Sequence, residues 1–259
     1  MKNFYHFLIK IGFNPLIFFH FFFHLPGFFR DYFKFKRLLG KNSDFKFGHF
    51  YPVTLDKKQS SGKMKGAYFH QDLLVAKKIF EENPQRHIDI GSRTDGFVAH
   101  VAVFREIEVF DIRPQSTTHK NIVFRQADFM QLPEDLYLCC DSVSSLHAIE
   151  HFGLGRYGDP LDPDGHLKAL ENIYNLLKPG GKFYFSVPIG NQRIEYNAHR
   201  IFDVAYLLDK LLPFYQLISF SYVDDFGDLL ENVEIEPVRV KANYGCNYGC
   251  GIFELKKKL

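Results

Sequence analysis

The sequence predicts an α/β fold: short parallel strands alternate with helices on both faces of one sheet, and an aromatic helical extension precedes them. Residues 87–97 read as an apolar strand, a glycine-bounded turn and the start of a helix near Phe97. Apolar runs and helical patterns then alternate to residue 187, which implies right-handed crossovers and parallel pairing. A partly alternating run at 214–222 and an apolar run at 248–255 predict a late pair of strands.

Composition limits the classes of function. A length of 259 residues fits one α/β domain with an extension, and a net charge of +2 does not indicate a broad basic face for nucleic acid. The four cysteines fit neither a secreted disulfide framework nor a paired CxxC zinc site, so we expect reduced core cysteines in a cytoplasmic protein. No small-residue cleavage site follows the first apolar segment, so we expect no cleavable signal peptide.

Residues 1–66 are predicted to form an aromatic helical extension and a linker, and residues 67–259 to form the α/β domain. The apolar run 16–25 is too short to cross ~30 Å of hydrocarbon, which needs about 20 residues. Asn14-Pro15 predicts a helix start and Pro26-Gly27 a break, so we expect a helical hairpin packed on the domain or on a dimer partner. Because basic residues flank the aromatic ones, a helix lying on a membrane surface stays an alternative.

The helix expected before the first strand covers residues 72–80 and ends at Asn83-Pro84. Two readings of its start remain open. Residues 69–72, including His70, could reach a ligand at the carboxyl edge of the sheet, or Asp72 could simply cap the helix. Later helices are expected from Asp164-Gly165 onward and over residues 201–212.

Polar residues follow the ends of the predicted strands. Because the carboxyl ends of parallel strands lie at one edge of the sheet, we expect these residues to lie close together there. The glycine turn leaves free N–H groups at a helix N-terminus, which is a common docking site for nucleotide cofactors. About 22 residues after Asp89, the second strand (106–110) ends in Asp111, placed to accept hydrogen bonds from both hydroxyls of a ribose.

Three further features complete an ordered set. Ala127-Asp128-Phe129 follows a third strand, a fourth strand (141–146) runs into residues 147–151, and Leu177-Lys-Pro-Gly-Gly181 precedes a fifth (182–187). This order resembles the class I S-adenosylmethionine-dependent methyltransferases over roughly residues 86–256. More narrowly, four motifs look like an uncharacterised-domain branch of that superfamily associated with bacterial surface-polysaccharide biosynthesis. They are residues 68–72, 91–96, 151–159 and 197–200.

The resemblance implies a Rossmann-like sheet with an antiparallel last strand, S-adenosylmethionine as cofactor and S-adenosylhomocysteine as product. It implies that Asp89 and Gly91 line the methionyl moiety, Asp111 binds the ribose, Ile112 packs on the adenine and Asp128 accepts from its amine. The full predicted cofactor set is Asp89, Gly91, Ser92, Arg93, Gly96, Asp111, Ile112, Asp128, Phe129 and Ser145. Arg93 stands where the family usually has glycine, and we hypothesise that it pairs with the methionyl carboxylate; a substrate phosphate is its other candidate partner.

Catalysis of methyl transfer is largely alignment, and a hydroxyl acceptor gains from a general base. His147 and His151 follow the fourth strand and would share one helical face if that segment were helical, with His147 the favoured base. A helix-packing role for His151 stays open. Glu150 would complete an i, i+3, i+4 metal trio, but only one carboxylate is present, so a divalent metal is not favoured.

The substrate wall is predicted from the polar residues of two loops, the alternative being an ordinary charged surface loop. The predicted substrate-binding residues are His70, Arg156, Tyr157, Asp159, Asn197, His199 and Arg200.

The predicted function is O-methylation of a sugar hydroxyl in a nucleotide-sugar or a capsule or lipopolysaccharide glycan precursor. N-methylation of an amino sugar and a non-catalytic glycan-assembly scaffold are the alternatives. A nicotinamide-dependent oxidoreductase is disfavoured because G-x-G-x-x-G is absent. The expected location is the cytoplasm, with peripheral contact with the inner membrane through residues 1–40 and a homodimer as further alternatives.

Overall fold

The computed structural model describes residues 8–9, 12–39 and 44–259. The chain separates into two compact units, residues 1–63 and 64–259. In the first unit, α1 (Pro15–Leu39) begins at Asn14, whose Oδ1 accepts from the backbone N–H groups of Leu16 (3.1 Å) and Ile17 (3.3 Å). The predicted helix start is therefore confirmed.

The break predicted at Pro26-Gly27 is wrong, because α1 continues through Pro26 as one helix. A proline removes one backbone hydrogen bond but leaves the turns on either side intact, and here those turns carry the helix onward. The hairpin expected between residues 16 and 39 does not form. Among the described residues, no helix combines the length and apolar character needed to cross a membrane.

The second unit is built on an eight-stranded sheet in the order β3-β2-β1-β4-β5-β10-β8-β9. The strands are β1 (His87–Ile90), β2 (Ile107–Asp111), β3 (Ile122–Gln126), β4 (Cys140–Leu146), β5 (Leu177–Ile189), β6 (Arg193–Glu195), β7 (His199–Ile201), β8 (Tyr215–Val223), β9 (Leu229–Leu230) and β10 (Gly249–Lys257). Strands β1 to β5 pair in parallel, whereas β10 lies between β5 and β8 and is antiparallel to both. The predicted mostly parallel sheet with an antiparallel last strand is confirmed. Strands β6 and β7 form a separate antiparallel pair.

Helices cover both faces of this sheet. They are α2 (Ala67–Glu82), α3 (Ala99–Ala102), α4 (Gly165–Leu176), α5 (Val204–Leu211) and α6 (Pro237–Lys241). Neighbouring residues of β5 enter different cores, since Tyr184 packs with α2 and α3 while Phe183 and Phe185 pack with α4 and α5. All four cysteines are free thiols, and three of them are buried.

Two local predictions are wrong. Helix α2 begins at Ala67 after Gly66, so Asp72 is a buried residue inside the helix rather than its N-cap. The segment after β4 is not an α-helix: His147 has a φ of 52° and only Ile149–His151 forms a single 3₁₀ turn. The pairing of β4 with β5 extends one residue further, because the backbone N–H of His147 donates to the Ser186 carbonyl at 2.9 Å. His147 and His151 therefore do not share a helical face.

Candidate active site

A cavity of about 580 Å³ opens at the carboxyl ends of the first four strands. Its lining includes Gly91 after β1, Asp111 at the end of β2, Asp128 after β3 and His147 after β4. The volume lies in the range of small-molecule and cofactor sites. The carboxyl edge of a parallel sheet is also where such sites form, because the strand ends deliver polar groups to a common crevice.

The turn after β1 has to contain glycine at residue 91. Gly91 has a φ of 73°, and a Cβ on it would stand 2.9 Å from the Cβ of Ala148. Its N–H donates to the Phe110 carbonyl at 2.8 Å, which ties the turn to the neighbouring strand β2. Gly96, the other end of the predicted turn, does not line the cavity; a Cβ there would meet the buried carboxylate of Asp72 at 2.6 Å.

Three predicted cofactor residues lie beneath the cavity rather than in its wall. Asp89 is fully buried, and its carboxylate accepts from the hydroxyls of Ser92 and Ser144, each at 2.6 Å, and from the Ser92 N–H at 3.0 Å. Burial raises the pKa of Asp89 to about 7 despite these bonds. The Ser145 hydroxyl donates to the Ile90 carbonyl at 2.9 Å. Their side chains therefore bind strand β1 and its turn to strand β4.

Asp111 lines the cavity as predicted, but Arg113 already holds its carboxylate. Oδ1 accepts from the Arg113 backbone N–H at 2.8 Å and from its Nε at 3.0 Å, and Oδ2 accepts from the guanidinium at 2.5 Å. A carboxylate oxygen has about two acceptor sites, so roughly one remains, on Oδ2. Asp111 is thus positioned for one ribose hydroxyl while Arg113 stays in place, not for both.

The other predicted adenosine contacts also lie in the cavity wall: Ile112, Asp128 and Phe129. Asp128 Oδ1 accepts from the Met130 N–H at 2.9 Å and so closes the turn after β3. Arg93 is at the rim, but its guanidinium pairs with Asp95 at 2.9 Å and lies 5.1 Å from the ring centre of Tyr68. The predicted pairing of Arg93 with a methionyl carboxylate stays a prediction.

His147 faces the cavity and is held from behind. Its Nδ1 lies 2.9 Å from Gln71 Oε1 and 3.5 Å from Ser186 Oγ, and the Tyr68 ring centre lies 5.1 Å from its own. Burial lowers the pKa of His147 to about 3, and the nearby imidazoles of His151 and His199 lower it further. The side chain is therefore neutral at physiological pH.

His151 also lines the cavity, and its Nδ1 donates to the Ala198 carbonyl at 2.7 Å. Burial lowers its pKa to about 4. Its Nε2 is 3.7 Å from Glu150 Oε1. Glu150 is fully buried, burial raises its pKa to about 8, and its Oε2 has no hydrogen-bond partner among the described residues. Within that part of the chain, no group of three or more His, Cys, Asp and Glu side chains could hold a metal ion.

The predicted substrate residues divide into two groups. Tyr157 and Asp159 line the cavity, whereas the others do not; these are His70, Arg156, Asn197, His199 and Arg200.

Arg200 differs most clearly from its predicted role in substrate binding, because its side chain is only 4% exposed. Its guanidinium donates to the backbone carbonyls of Phe152 (2.6 Å) and Pro163 (3.0 Å). The loop carbonyls occupy both terminal nitrogens of this guanidinium, so Arg200 supports the loop around residues 153–163 instead of facing a ligand.

Residues 106–244, more than half of the chain, match the family described as "Caenorhabditis protein of unknown function, DUF268". The chain belongs to this family. No curated protein is significantly similar to the sequence.

Solved structures define the fold. A Burkholderia thailandensis 1,6-didemethyltoxoflavin-N1-methyltransferase with bound S-adenosylhomocysteine is similar at a TM-score of 0.52 and 13% identity, over 73% of this chain and 79% of that one. The [4+2]-cyclase SpnF is similar at 0.53 and 14% identity, over 73% and 81%. This DUF268 chain therefore has the Rossmann-like fold of class I S-adenosylmethionine-dependent methyltransferases. One neighbour is a cyclase, so the reaction has to be argued from the site.

Sequence reasoning missed Arg113 and Tyr68 as site residues, and it considered Gln71 and Glu150 only as a ligand contact and a metal ligand. Arg113 and Tyr68 both line the cavity, and Gln71 and Glu150 stand directly behind its two histidines. Arg113 carried a usable signal, since a basic residue two positions after a strand-end aspartate can fold back onto it. Gln71 carried none, because its partner His147 is 76 residues away in the chain.

Proposed function

We propose that this protein is an S-adenosylmethionine-dependent methyltransferase whose acceptor is a sugar hydroxyl. One observation carries the proposal: the wall that holds Gly91, Asp111 and Asp128 belongs to the same cavity as a neutral histidine, His147. A methyl donor and a proton acceptor would therefore meet in one cavity. The S-adenosylhomocysteine bound to the Burkholderia neighbour supports this choice of cofactor.

The residues present fit the cofactor. Gly91 leaves backbone exposed where a Cβ could not be placed, Asp111 keeps one acceptor site for a ribose hydroxyl, and Ile112 offers an apolar surface for the adenine. Asp128 has an oxygen, Oδ2, beyond the one that closes its own turn, and it would accept from the exocyclic amine. When bound, S-adenosylmethionine supplies an electrophilic methyl group on a positively charged sulfur.

The chain's own contribution to the chemistry is orientation and proton acceptance. His147 is neutral, so its free nitrogen can accept the proton of a hydroxyl as the new bond forms. General-base catalysis is worth ~10²–10⁴ in rate, and the low pKa of His147 makes it a weak base, so we expect the lower end of that range. His151 is less suitable, because its Nδ1 is committed to the Ala198 carbonyl and its Nε2 is turned toward Glu150. A hydroxyl needs this help more than an amine does, since a neutral amine is already nucleophilic.

A nucleotide-sugar acceptor is supported by Tyr157 and Arg156. The guanidinium groups of Arg113 and Arg156 lie 4.5 Å and 5.1 Å from the ring centre of Tyr157. Arg113 is already paired with Asp111, so Arg156, which stands beside the cavity and not in its lining, is the cation left for a diphosphate. The Tyr157 ring offers a sugar a stacking surface. We place the activity in surface-glycan synthesis, with the cytoplasm as the compartment. N-methylation of an amino sugar is the alternative reaction.

Peripheral membrane contact through α1 belongs to the same proposal. This helix exposes Phe19 and Phe23, and it carries Lys36 and Arg37 in its last turn. Aromatic rings and cations are the groups that hold a helix at an anionic membrane surface.

The first experiment is isothermal titration calorimetry of the protein with S-adenosylhomocysteine and, separately, with NAD. We expect the first to bind, and Asp111→Asn to weaken its affinity about 10- to 100-fold because a charge-assisted hydrogen bond is lost. Asp209→Asn, the same change at an exposed site on α5, should bind like the unmodified chain. Binding of NAD in place of S-adenosylhomocysteine would overturn the proposal.

The second experiment measures transfer of an isotopically labelled methyl group to a panel of nucleotide-sugars with and without a free amine. Label on a hydroxyl supports the proposal, and label on nitrogen establishes the N-methyltransferase alternative. Tight S-adenosylhomocysteine binding with no label on any acceptor, including extracted glycan precursors, would contradict the sugar acceptor.

A further inference from the structure

The side chain of Gln71 lies behind His147 and is only 1% exposed. Its Oε1 is close to three donors: His147 Nδ1 at 2.9 Å, the Ser186 hydroxyl at 2.7 Å and the Cys250 thiol at 3.6 Å. Its Nε2 donates to Asp72 Oδ1 at 3.1 Å. Every polar atom of this amide therefore has a partner, and helix α2 delivers it to the back of the site.

The oxygen and the NH₂ group of the Gln71 amide cannot exchange places without losing the hydrogen bond to Asp72. In the opposite orientation the amide oxygen would face the Asp72 carboxylate, and two acceptors would stand 3.1 Å apart in a buried setting. The NH₂ group would then face the Ser186 hydroxyl and the imidazole. Burial raises the pKa of Asp72 to about 6, so its carboxyl is ionised at neutral pH and accepts only. The Gln71 oxygen thus faces His147, and His147 Nδ1 has to be the donor.

We propose that Gln71 is a positioning residue that fixes the tautomer of His147, so that Nδ1 carries the proton and Nε2 presents a lone pair to the cavity. The tautomer follows from the hydrogen bonds of Gln71 together with the ionised carboxylate of Asp72. Its catalytic consequence rests on the proposed function, because only a methyltransferase with a hydroxyl acceptor needs Nε2 as a base.

An amide and a carboxylate would act differently at this position. The amide orients the imidazole without adding charge, so the imidazolium gains no ionic partner. The groups that face His147 are the Gln71 amide, the Ser186 hydroxyl, the Cys250 thiol and the Tyr68 ring, together with the imidazoles of His151 and His199. Asp72 is separated from it by the amide. A carboxylate at residue 71 would stabilise the imidazolium directly.

The tautomer is tested by ¹⁵N magnetic resonance of the full chain labelled at histidine, with His147→Gln used to assign the signals. At neutral pH we expect a protonated Nδ1 and an unprotonated Nε2 for His147, and a change of tautomer population in Gln71→Met. Ser221→Ala removes a buried hydroxyl on β8 that accepts from the Asn232 N–H, and it should leave the His147 signals unchanged. A protonated Nε2 in the unmodified chain overturns the proposal.

The same spectra followed against pH give a second readout that a purely structural role of Gln71 would not move. Gln71→Glu combined with Asp72→Asn keeps the size of both side chains and leaves one carboxylate beside the imidazole. We expect it to raise the pKa of His147 by about 1–3 units relative to Asp72→Asn alone. An unshifted titration in this double variant, or a His147 tautomer in Gln71→Met like that of the unmodified chain, would argue against a positioning role. If Gln71→Met does not fold, the titration of the double variant decides.

Kinetics separate this inference from the proposed function. With the nucleotide-sugar that accepts the methyl group, Gln71→Met should lower kcat about 10-fold while KM and S-adenosylhomocysteine affinity stay within about two-fold. Transfer that is unaffected by the change removes the positioning role and leaves the methyltransferase standing. Absence of transfer from every acceptor removes the proposed function, while the ¹⁵N spectra still decide the tautomer.

Discussion

The buried carboxyl of Glu150 makes the stability of this protein depend on pH in a way that one substitution should remove. Glu150 is 1% exposed, and its Oε2 has no hydrogen-bond partner in the described part of the chain. The nearest basic atom is His151 Nε2 at 3.7 Å, and burial lowers the pKa of that imidazole to about 4, so it is uncharged at neutral pH. Burial without an ionic partner raises the pKa of Glu150 from 4.5 to about 8.

The sign follows from proton binding in the two states. The folded protein keeps the Glu150 proton up to about pH 8, whereas the unfolded chain releases it near its ordinary value of 4.5. The contribution of this group to stability is therefore complete at low pH and is lost as pH rises through that window. Each pH unit inside the window is worth about 1.4 kcal/mol. Between about pH 5 and about pH 7.5, the free energy of unfolding should fall by ~3 kcal/mol on account of Glu150.

Glu150→Gln removes the titrating proton and keeps the size of the side chain. We expect its stability relative to the unmodified chain to improve by ~3 kcal/mol between about pH 5 and about pH 7.5, measured by urea unfolding at both values. The raised pKa values of Asp72 and Asp89 act in both proteins and cancel in the difference. Glu231→Gln changes an exposed carboxyl and should show no such trend. Equal pH dependence of Glu150→Gln and the unmodified chain would refute the reasoning.

Three other substitutions test the site and its support. Gly91→Ala should lower the free energy of unfolding by about 1–3 kcal/mol and weaken S-adenosylhomocysteine binding in calorimetry, because its φ is 73° and its Cβ would stand 2.9 Å from that of Ala148. Gly245→Ala, with a φ of 80° but open space, should show only the backbone strain. Arg200→Met should cost about 2–4 kcal/mol in chemical denaturation, since the carbonyls of Phe152 and Pro163 lose the donor that a buried side chain gives them. His147→Gln should lower methyl transfer ~10²-fold in the labelling assay while S-adenosylhomocysteine affinity is kept, because the low pKa of His147 makes it a weak base.

The sheet was predictable from sequence because its signals are local. Apolar runs mark β1, β2, β3 and part of β5, and alternation with helical patterns implies the parallel pairing that the structure confirms. Gly91, Asp111, Asp128 and His147 line one cavity for the same reason, since all four stand at or just after the ends of strands that end at one edge of the sheet. The order of the strands is therefore enough to predict that these residues lie close together, without knowledge of any side-chain contact.

The errors arose where tertiary pairing overrode a local pattern. Spacing suggested a helix after β4, but hydrogen bonding to Ser186 of β5 extends the strand to His147 and leaves room only for a 3₁₀ turn. Asp89 has the position expected of a ligand-binding acid, yet Ser92 and Ser144 hold its carboxylate inside the domain. A sequence pattern gives the strand end on which an acid stands, but not the side on which its hydrogen-bond donors lie.

The pairing of Asp111 with Arg113 changes how many ribose hydroxyls Asp111 can bind. Three of its roughly four acceptor sites are filled by Arg113, so the free carboxylate can take one ribose hydroxyl and not two. A second hydroxyl could bind only if the guanidinium moved, and that guanidinium also lies 4.5 Å from the ring centre of Tyr157. Since Tyr157 belongs to the same cavity wall, filling the ribose position completely would disturb the side of the cavity where the acceptor is proposed to bind. The two halves of the cavity are therefore coupled through one arginine that the sequence pattern did not single out.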